Sequence, residues 1–302
     1  MSATATVGYT GASTQRVTAD NAIEYAYRDL GAGDVPLVLL QHFRGNLDNW
    51  DPALVDALAA DRRVIAFDNV GVGATTGSTP STIEAMAHDA ISFLEAMDFQ
   101  QIDLLGFSIG SFIAQEIALI RPDLLRRVVL ASAAPQGAAG MHGWAPEVIG
   151  AVGAPETSPE GYISVFFAPT DTSRGAGQQA AGRIFGGRTS DRDEPTTWQT
   201  REAQYDAVCT WGIPNHALLQ GVAAIEHPDR GEYLDSHVVA LARDIRDRGC
   251  IHVVDERGGV VREQRQIRNL LPTHDRRCKI LGKRVRIGKG SGSRVDVDHR
   301  HQ

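Results

Sequence analysis

Two spacings of apolar residues alternate along the first half of the chain. Ile23, Tyr25 and Tyr27 recur at every second position within 22–27, the pattern of a half-buried strand. Residues 36–40, 64–67, 102–105 and 128–130 are short, nearly unbroken apolar runs, as expected of strands covered on both faces. Between them the period lengthens to that of a helix. Residues 50–60 form one such stretch, and 82–97 another, with Ile83, Ala87, Ala90, Ile91 and Leu94 on one face. A third carries Ile109, Phe112, Ile113, Ile117 and Ile120 and is stopped by Arg121-Pro122. Strands alternating with helices predict an α/β fold, a mostly parallel sheet with helices on both faces, because parallel neighbours need a long crossover.

The rhythm breaks at residue 135. Residues 135–212 are rich in Gly and Pro and hold Trp144, Phe166, Phe167, Trp198, Tyr205 and Trp211, which predicts an inserted cap with some of these rings lining an apolar pocket. The expected organisation is a core over 15–134, the cap over 135–212, a return to the core over 213–227, and an atypical basic tail over 228–302. Charge marks the last boundary. Up to His227 there are 13 Arg, no Lys and 26 Asp plus Glu, net −13; beyond it 14 Arg, 3 Lys and 11 acids give +6. The tail has short pattern only: Val238, Leu241, Ala242 and Ile245 share a helical face and 250–254 is strand-like, but its charge leaves little apolar area to offset ordering entropy. A reading-frame change near codon 228 would account for the charge inversion and the sudden lysines together; a basic module appended to a shortened core is the rival.

With 302 residues and 42% hydrophobic content the chain can bury a large core. Residues 1–15 lack the basic and apolar parts of a secretory signal, and no run of 18 apolar residues is present, so a soluble, cytoplasmic protein without membrane attachment is expected. Cys209, Cys250 and Cys278 are odd in number and widely spaced, against a disulfide framework or a paired-cysteine zinc site. They read as reduced thiols.

The candidate chemistry starts at Gly106-Phe107-Ser108-Ile109-Gly110, a G-x-S-x-G between a strand-like and a helix-like run. A serine at so sharp a turn is lifted above the sheet, which makes Ser108 the candidate nucleophile. With Leu39 to Gly45 after an earlier strand and Asp68-Asn69-Val70-Gly71-Val72-Gly73 after the next, the chain over about 15–227 resembles the α/β-hydrolase family. The resemblance implies a serine hydrolase acting on a small ester-like or related substrate. It also implies that the backbone N–H groups of Phe43 and Ile109 form an oxyanion hole, and that neither a metal nor an organic cofactor is used. The family reads His-Gly where this chain has Gln41-His42. His42 is expected to shape that loop, Asp68 to cap backbone N–H groups, and His88 and Asp89 to be solvated; Arg44 could face substrate or solvent.

The family order is serine, acid, histidine. After residue 227 no strand ending in an acid and no histidine-bearing loop is recognisable, and Asp255 and His274 are the nearest substitutes, ahead of His237 and His252. The chain as written is therefore expected to hydrolyse weakly. A catalytically inactive family member that binds a small molecule, and a basic-tailed interaction protein, are the alternatives. Gly71-Val72-Gly73 lacks the third glycine of a dinucleotide fingerprint, and Gly288-Lys289-Gly290-Ser291 lacks the spacing of a phosphate loop. The basic stretch at 284–287 has no interleaved aromatics, so the expected partner is a small molecule and not a nucleic acid.

Overall fold

The computed structural model describes residues 7–138, 142–154 and 158–225. Six strands form one sheet: β1 (Gln15–Thr18), β2 (Glu24–Leu30), β3 (Leu37–Leu40), β4 (Val64–Phe67), β5 (Ile102–Phe107) and β6 (Leu125–Ala131). Their order is β1-β2-β4-β3-β5-β6; β1 and β2 pair antiparallel, and β4, β3, β5 and β6 run parallel. The short β1 escapes the hydrophobic pattern because three of its four residues are exposed.

β3 and β4 are buried along their whole length. Their alternation explains why: Val38, Leu40, Ile65 and Phe67 pack into one core with α2 (Ile83–Ala96) and α3 (Ile109–Ile120), whereas Leu37, Leu39, Val64 and Ala66 pack into a second with α1 (Pro52–Ala59). Successive side chains of a strand point to opposite faces, so one continuous apolar run serves both layers. The helix starts are set by caps. Asp51 accepts the N–H of Ala53, which moves the start of α1 to Pro52 and leaves Trp50 extended; Thr82 accepts the N–H of Ala85 ahead of α2.

After β6 come α4 (Pro146–Val152), α5 (Pro159–Phe166), α6 (Asp171–Gly186), α7 (Trp198–Trp211) and the single turn α8 (His216–Leu219). No residue of α4 or α5 is fully buried, whereas Trp211 of α7 stacks on Phe112 inside the first core. From β3 the chain goes to β4 on one side and then to β5 on the other, so the order of strands reverses between β3 and β5. A crevice opens outside the carboxyl ends of strands at such a point, where ligands bind in open α/β sheets. No helix among the described residues is long and apolar enough to cross a membrane.

Candidate active site

β3, β5 and β6 end side by side: Leu40 is level with Gly106, and Phe107 with Ala131. The loop 41–46, Ser108 and Ser132 therefore emerge at one edge of the sheet, and His42, Phe43, Arg44, Ser108 and Ser132 line one cavity of about 230 Å³. Six non-glycine residues among those described have positive φ, and three of them, Arg44 (60°), Ser108 (56°) and Ser132 (54°), are in this lining. Strain of this kind persists only where the surroundings enforce it, and it clusters at functional sites.

At Ser108 the enforcement is visible. Its backbone has φ 56° and ψ −119°. Its N–H donates to the carbonyl of Ala131 (2.9 Å), and its own carbonyl accepts the N–H (2.8 Å) and the hydroxyl (2.6 Å) of Ser111. Glycines are required on both sides by close approach. A Cβ on Gly106 would lie 2.3 Å from the Gly110 carbonyl oxygen, and one on Gly110 would lie 2.3 Å from that of Leu40. The hydroxyl of Ser108 makes no hydrogen bond to another described residue.

The loop after β3 is a tight turn in which Gly45 N–H donates to the His42 carbonyl (2.9 Å) and Arg44 holds the left-handed position. Partners from the α7 region fix Arg44: its N–H donates to Gln204 Oε1 (2.6 Å), its carbonyl accepts the Thr196 hydroxyl (2.6 Å), and its guanidinium donates to the carbonyls of Val152 and Ala154. Arg44 thus faces neither solvent nor substrate alone; it ties the loop to the end of α4. The N–H groups of Phe43 and Ile109, on either side of the β3/β5 crevice, donate to no other described residue.

His42 Nδ1 lies 2.8 Å from the carbonyl oxygen of Phe43. A carbonyl only accepts, so Nδ1 carries the proton and Nε2 holds a bare lone pair, which is buried without a partner. The ring sits among Phe107, Tyr162 and Phe166, and burial pushes its pKa down to about 4. It makes no hydrogen bond to Ser108. Here His42 is a neutral wall.

Asp68 accepts the N–H of Leu47 (2.8 Å), and Asp193 approaches the same N–H (3.1 Å), which agrees with a capping role for Asp68. Burial first, and Asp193 second, hold the Asp68 carboxyl well above the ordinary range. Beside it, Asp48 pairs with Arg28 at 2.7 Å, both almost fully buried, and accepts the N–H of Asp193 (2.9 Å). His88 is exposed and Asp89 half-buried on α2. Among the described residues no cluster of three or more His, Cys, Asp or Glu is placed to hold a metal ion. Asp255, His274, His237 and His252, and the tail reading as a whole, lie outside the described residues.

Ser132, Thr196 and Gln204 were invisible in the sequence. The one usable signal was that Ser132 directly follows a strand adjacent in the sheet to that of Ser108; Gln204 sits on a helix whose polar and apolar residues show no clear face.

The alpha/beta hydrolase fold family model matches residues 35–207. The chain belongs to the α/β-hydrolase family. An α/β-hydrolase fold protein from Chitinophaga pinensis superposes with a TM-score of 0.68 at 37% identity, over 74% of this chain and 79% of that one. Among curated relatives, a candidate non-heme bromoperoxidase, BpoC, of Mycobacterium tuberculosis is 39% identical over 109 residues, 36% of this chain and 41% of that protein. A candidate carbamate hydrolase, RutD, of Rhizobium rhizogenes is 33% identical over 99 residues, 32% of this chain and 37% of that protein. The matched parts thus span about two fifths of these curated relatives.

Proposed function

We propose that this α/β-hydrolase is a serine hydrolase of small, ester-like substrates, with Ser108 as nucleophile and the N–H groups of Phe43 and Ile109 as oxyanion donors. The observation that carries the reading is the strained Ser108 turn, braced by Ala131 and Ser111, beside two backbone N–H groups with no other described partner. In the reaction Ser108 Oγ forms a bond to the carbonyl carbon and loses its proton to a base. The carbonyl oxygen takes up negative charge at the two N–H groups. As the carbonyl re-forms, the alcohol leaves with the proton, and water then hydrolyses the acyl-enzyme. Backbone donors already fixed in place stabilise charge that exists only in the transition state, and so lower the barrier without holding the ground state. Residues 135–212 act in this reading as a cap over the site.

Asp255 and His274 stay the nearest substitutes for the acid and the base in the sequence, and both lie outside the described residues. His42 is not the base, because its proton is on the nitrogen facing the Phe43 carbonyl and its other nitrogen is walled in by aromatic rings. The names of the curated relatives point to two chemistries, carbamate hydrolysis and bromoperoxidation; the first would share the acyl-transfer step written above. One observation favours a second reading, a family member that binds a small molecule without turning it over: the Ser108 hydroxyl has no base among its described neighbours. Treatment with a fluorophosphonate separates the two. Displacement of fluoride by Ser108 Oγ should leave an adduct on the peptide bearing Ser108, absent in Ser108→Ala. An unlabelled wild-type peptide overturns the nucleophile assignment.

A further inference from the structure

The connector between α6 and α7, residues 187–197, lies antiparallel to the loop after β3. The Asp193 N–H donates to Asp48 Oδ2 (2.9 Å), and the Leu47 N–H reaches Asp193 Oδ2 (3.1 Å). Asn46 Nδ2 donates to the Glu194 carbonyl (2.9 Å), and the Thr196 hydroxyl donates to the Arg44 carbonyl (2.6 Å). Positions thus rise along the connector as they fall along the loop. Upstream, the buried Arg188 anchors this strap by donating to the carbonyls of Thr10 (3.0 Å) and Ala12 (2.8 Å). Its last contact, at Arg44, is one residue from Phe43.

One meeting along the strap has no ordinary donor. Asp68 Oδ1 accepts the same Leu47 N–H (2.8 Å), whereas Asp68 Oδ2 is buried and, unprotonated, has no hydrogen-bond partner among the described residues. A Cβ on Gly73 would lie within 2.5 Å of both Asp68 Oδ2 and Asp193 Oδ2, so the two carboxyl groups meet over the bare face of that glycine. Two carboxylates so placed and shielded from water do not both ionise. A proton on Asp68 Oδ2 turns the repulsion into a hydrogen bond donated to Asp193. The surrounding charges favour this division. Arg28 on β2 pairs with Asp48 (2.7 Å) and also attracts Asp193, while Arg188 and Arg192 lie 3.9 and 3.8 Å from Asp48. The Tyr9 hydroxyl donates to the Leu47 carbonyl (2.6 Å). No cation among the described residues pairs with Asp68, so the proton belongs on Asp68 and the negative charge on Asp193.

Resting on the serine reading for the role of the Phe43 N–H, we propose that Asp193 is a positioning residue: through one proton shared with Asp68 it clamps the strap on residues 44–48 and so fixes the Phe43 N–H beside Ser108. Loss of the proton puts two negative charges in one dry site. Asp68 directly follows a strand buried along its whole length, and Asp193 is half-buried on a connector, so Asp193 is the member that yields and the strap lifts. Burial and the Asp193 charge hold the Asp68 carboxyl well above the ordinary range. With the folded pKa raised above the unfolded one, the clamp is complete at low pH and is lost as pH rises through the folded value. A general base only gains competence as pH rises, so it gives no such alkaline limb.

Hydrogen exchange of the full chain, corrected for the intrinsic acceleration of exchange with pH, reads the clamp without reference to catalysis. Peptides covering 44–48 and 193–197 should lose protection from mildly acidic to alkaline buffer by roughly tenfold or more, the strength of a hydrogen bond to a charged group. In Asp68→Asn, whose amide donates to Asp193 at every pH, protection should stay at its acidic value throughout. Asp193→Ala should show the low value at every pH; wild type against Asp68→Asn decides the matter even where that variant does not fold. Fluorophosphonate labelling of Ser108 should follow the same profile, with an alkaline fall in the wild type that Asp68→Asn abolishes. Flat protection in the wild type, or an alkaline loss retained in Asp68→Asn, overturns the shared proton. Loss of protection with an unaffected labelling rate overturns the positioning role. Loss of protection without an adduct at any pH would remove the nucleophile and keep the clamp.

Discussion

Replacing Gly110 by alanine should loosen the whole edge of the sheet on which the site is built. The new Cβ would lie 2.3 Å from the Leu40 carbonyl oxygen, 2.7 Å from its carbon and 2.8 Å from the Gln41 carbonyl oxygen. An ordinary contact needs about 3.4 Å, so α3 and the loop after β3 must separate by about 1 Å. All three obstructing atoms are backbone, so no side chain can rotate away. Overpacking a tight site costs about 1–3 kcal/mol, and backbone obstruction places this case at the upper end, ~3 kcal/mol. At ~2–4 °C per kcal/mol for a domain of this size, the midpoint should fall by roughly 6–12 °C. The same movement carries Phe43 away from Ser108, and a misplacement of ~1 Å costs on the order of a hundredfold in rate. Gly182 is the internal control. It is exposed on α6 with nothing near its missing Cβ, so Gly182→Ala should stabilise by ~1 kcal/mol through helix propensity alone. Thermal unfolding followed by circular dichroism, with fluorophosphonate labelling rates, reads both effects. If Gly110→Ala melts within 2 °C of the parent chain, the two elements are not in the contact described and the account of the turn is wrong.

Other outcomes follow from the buried charges. Asp68 has a carboxyl pKa raised above its unfolded value near 3.8, so the native state holds its proton longer and stability falls as pH rises through the window above 3.8; Asp68→Asn should remove that part of the pH dependence in urea titrations while keeping the bond to Leu47 N–H. His42 titrates in the opposite sense. Its folded pKa is about 4 against 6.5 unfolded, so the unfolded state takes the proton first and stability is lost as pH falls from 6.5 towards 4; His42→Phe should flatten that limb, and an unchanged profile would contradict the burial of Nε2. Arg28→Met leaves the buried Asp48 carboxylate only its longer contacts with Arg188 (3.9 Å) and Arg192 (3.8 Å), and should cost ~3 kcal/mol by denaturant unfolding, the lower end for breaking a buried pair, and more than the paired change to Met and Asn. Titration with labelled RNA at low salt should show no tight binding, since the net −13 of residues 1–227 opposes phosphate more than the +6 of the remainder attracts it.

The sequence by itself determined the layers. Apolar runs at 37–40 and 64–67 read as strands buried on both faces, and periodic runs such as 83–94 as one-sided helices, because these patterns are local and their periods differ. The turn at Ser108 was legible for the same reason: two glycines, a strand before and a helix after are all neighbours in the chain. What the sequence left open was everything that depends on distance in space. Arg44 was ambiguous between solvent and substrate until Gln204, 160 positions away, and Thr196 were seen to hold its backbone. His42 was expected only to shape its loop, and its tautomer is fixed by the Phe43 carbonyl. Ser132 joins the lining through strand order alone, since β6 lies next to β5. His42 packs against the rings of Tyr162 and Phe166 and Phe43 against that of Trp144, and no period along the chain encodes those meetings. Local pattern sets which elements form, whereas the site is a set of long-range contacts, and only packing of the finished fold brings those together.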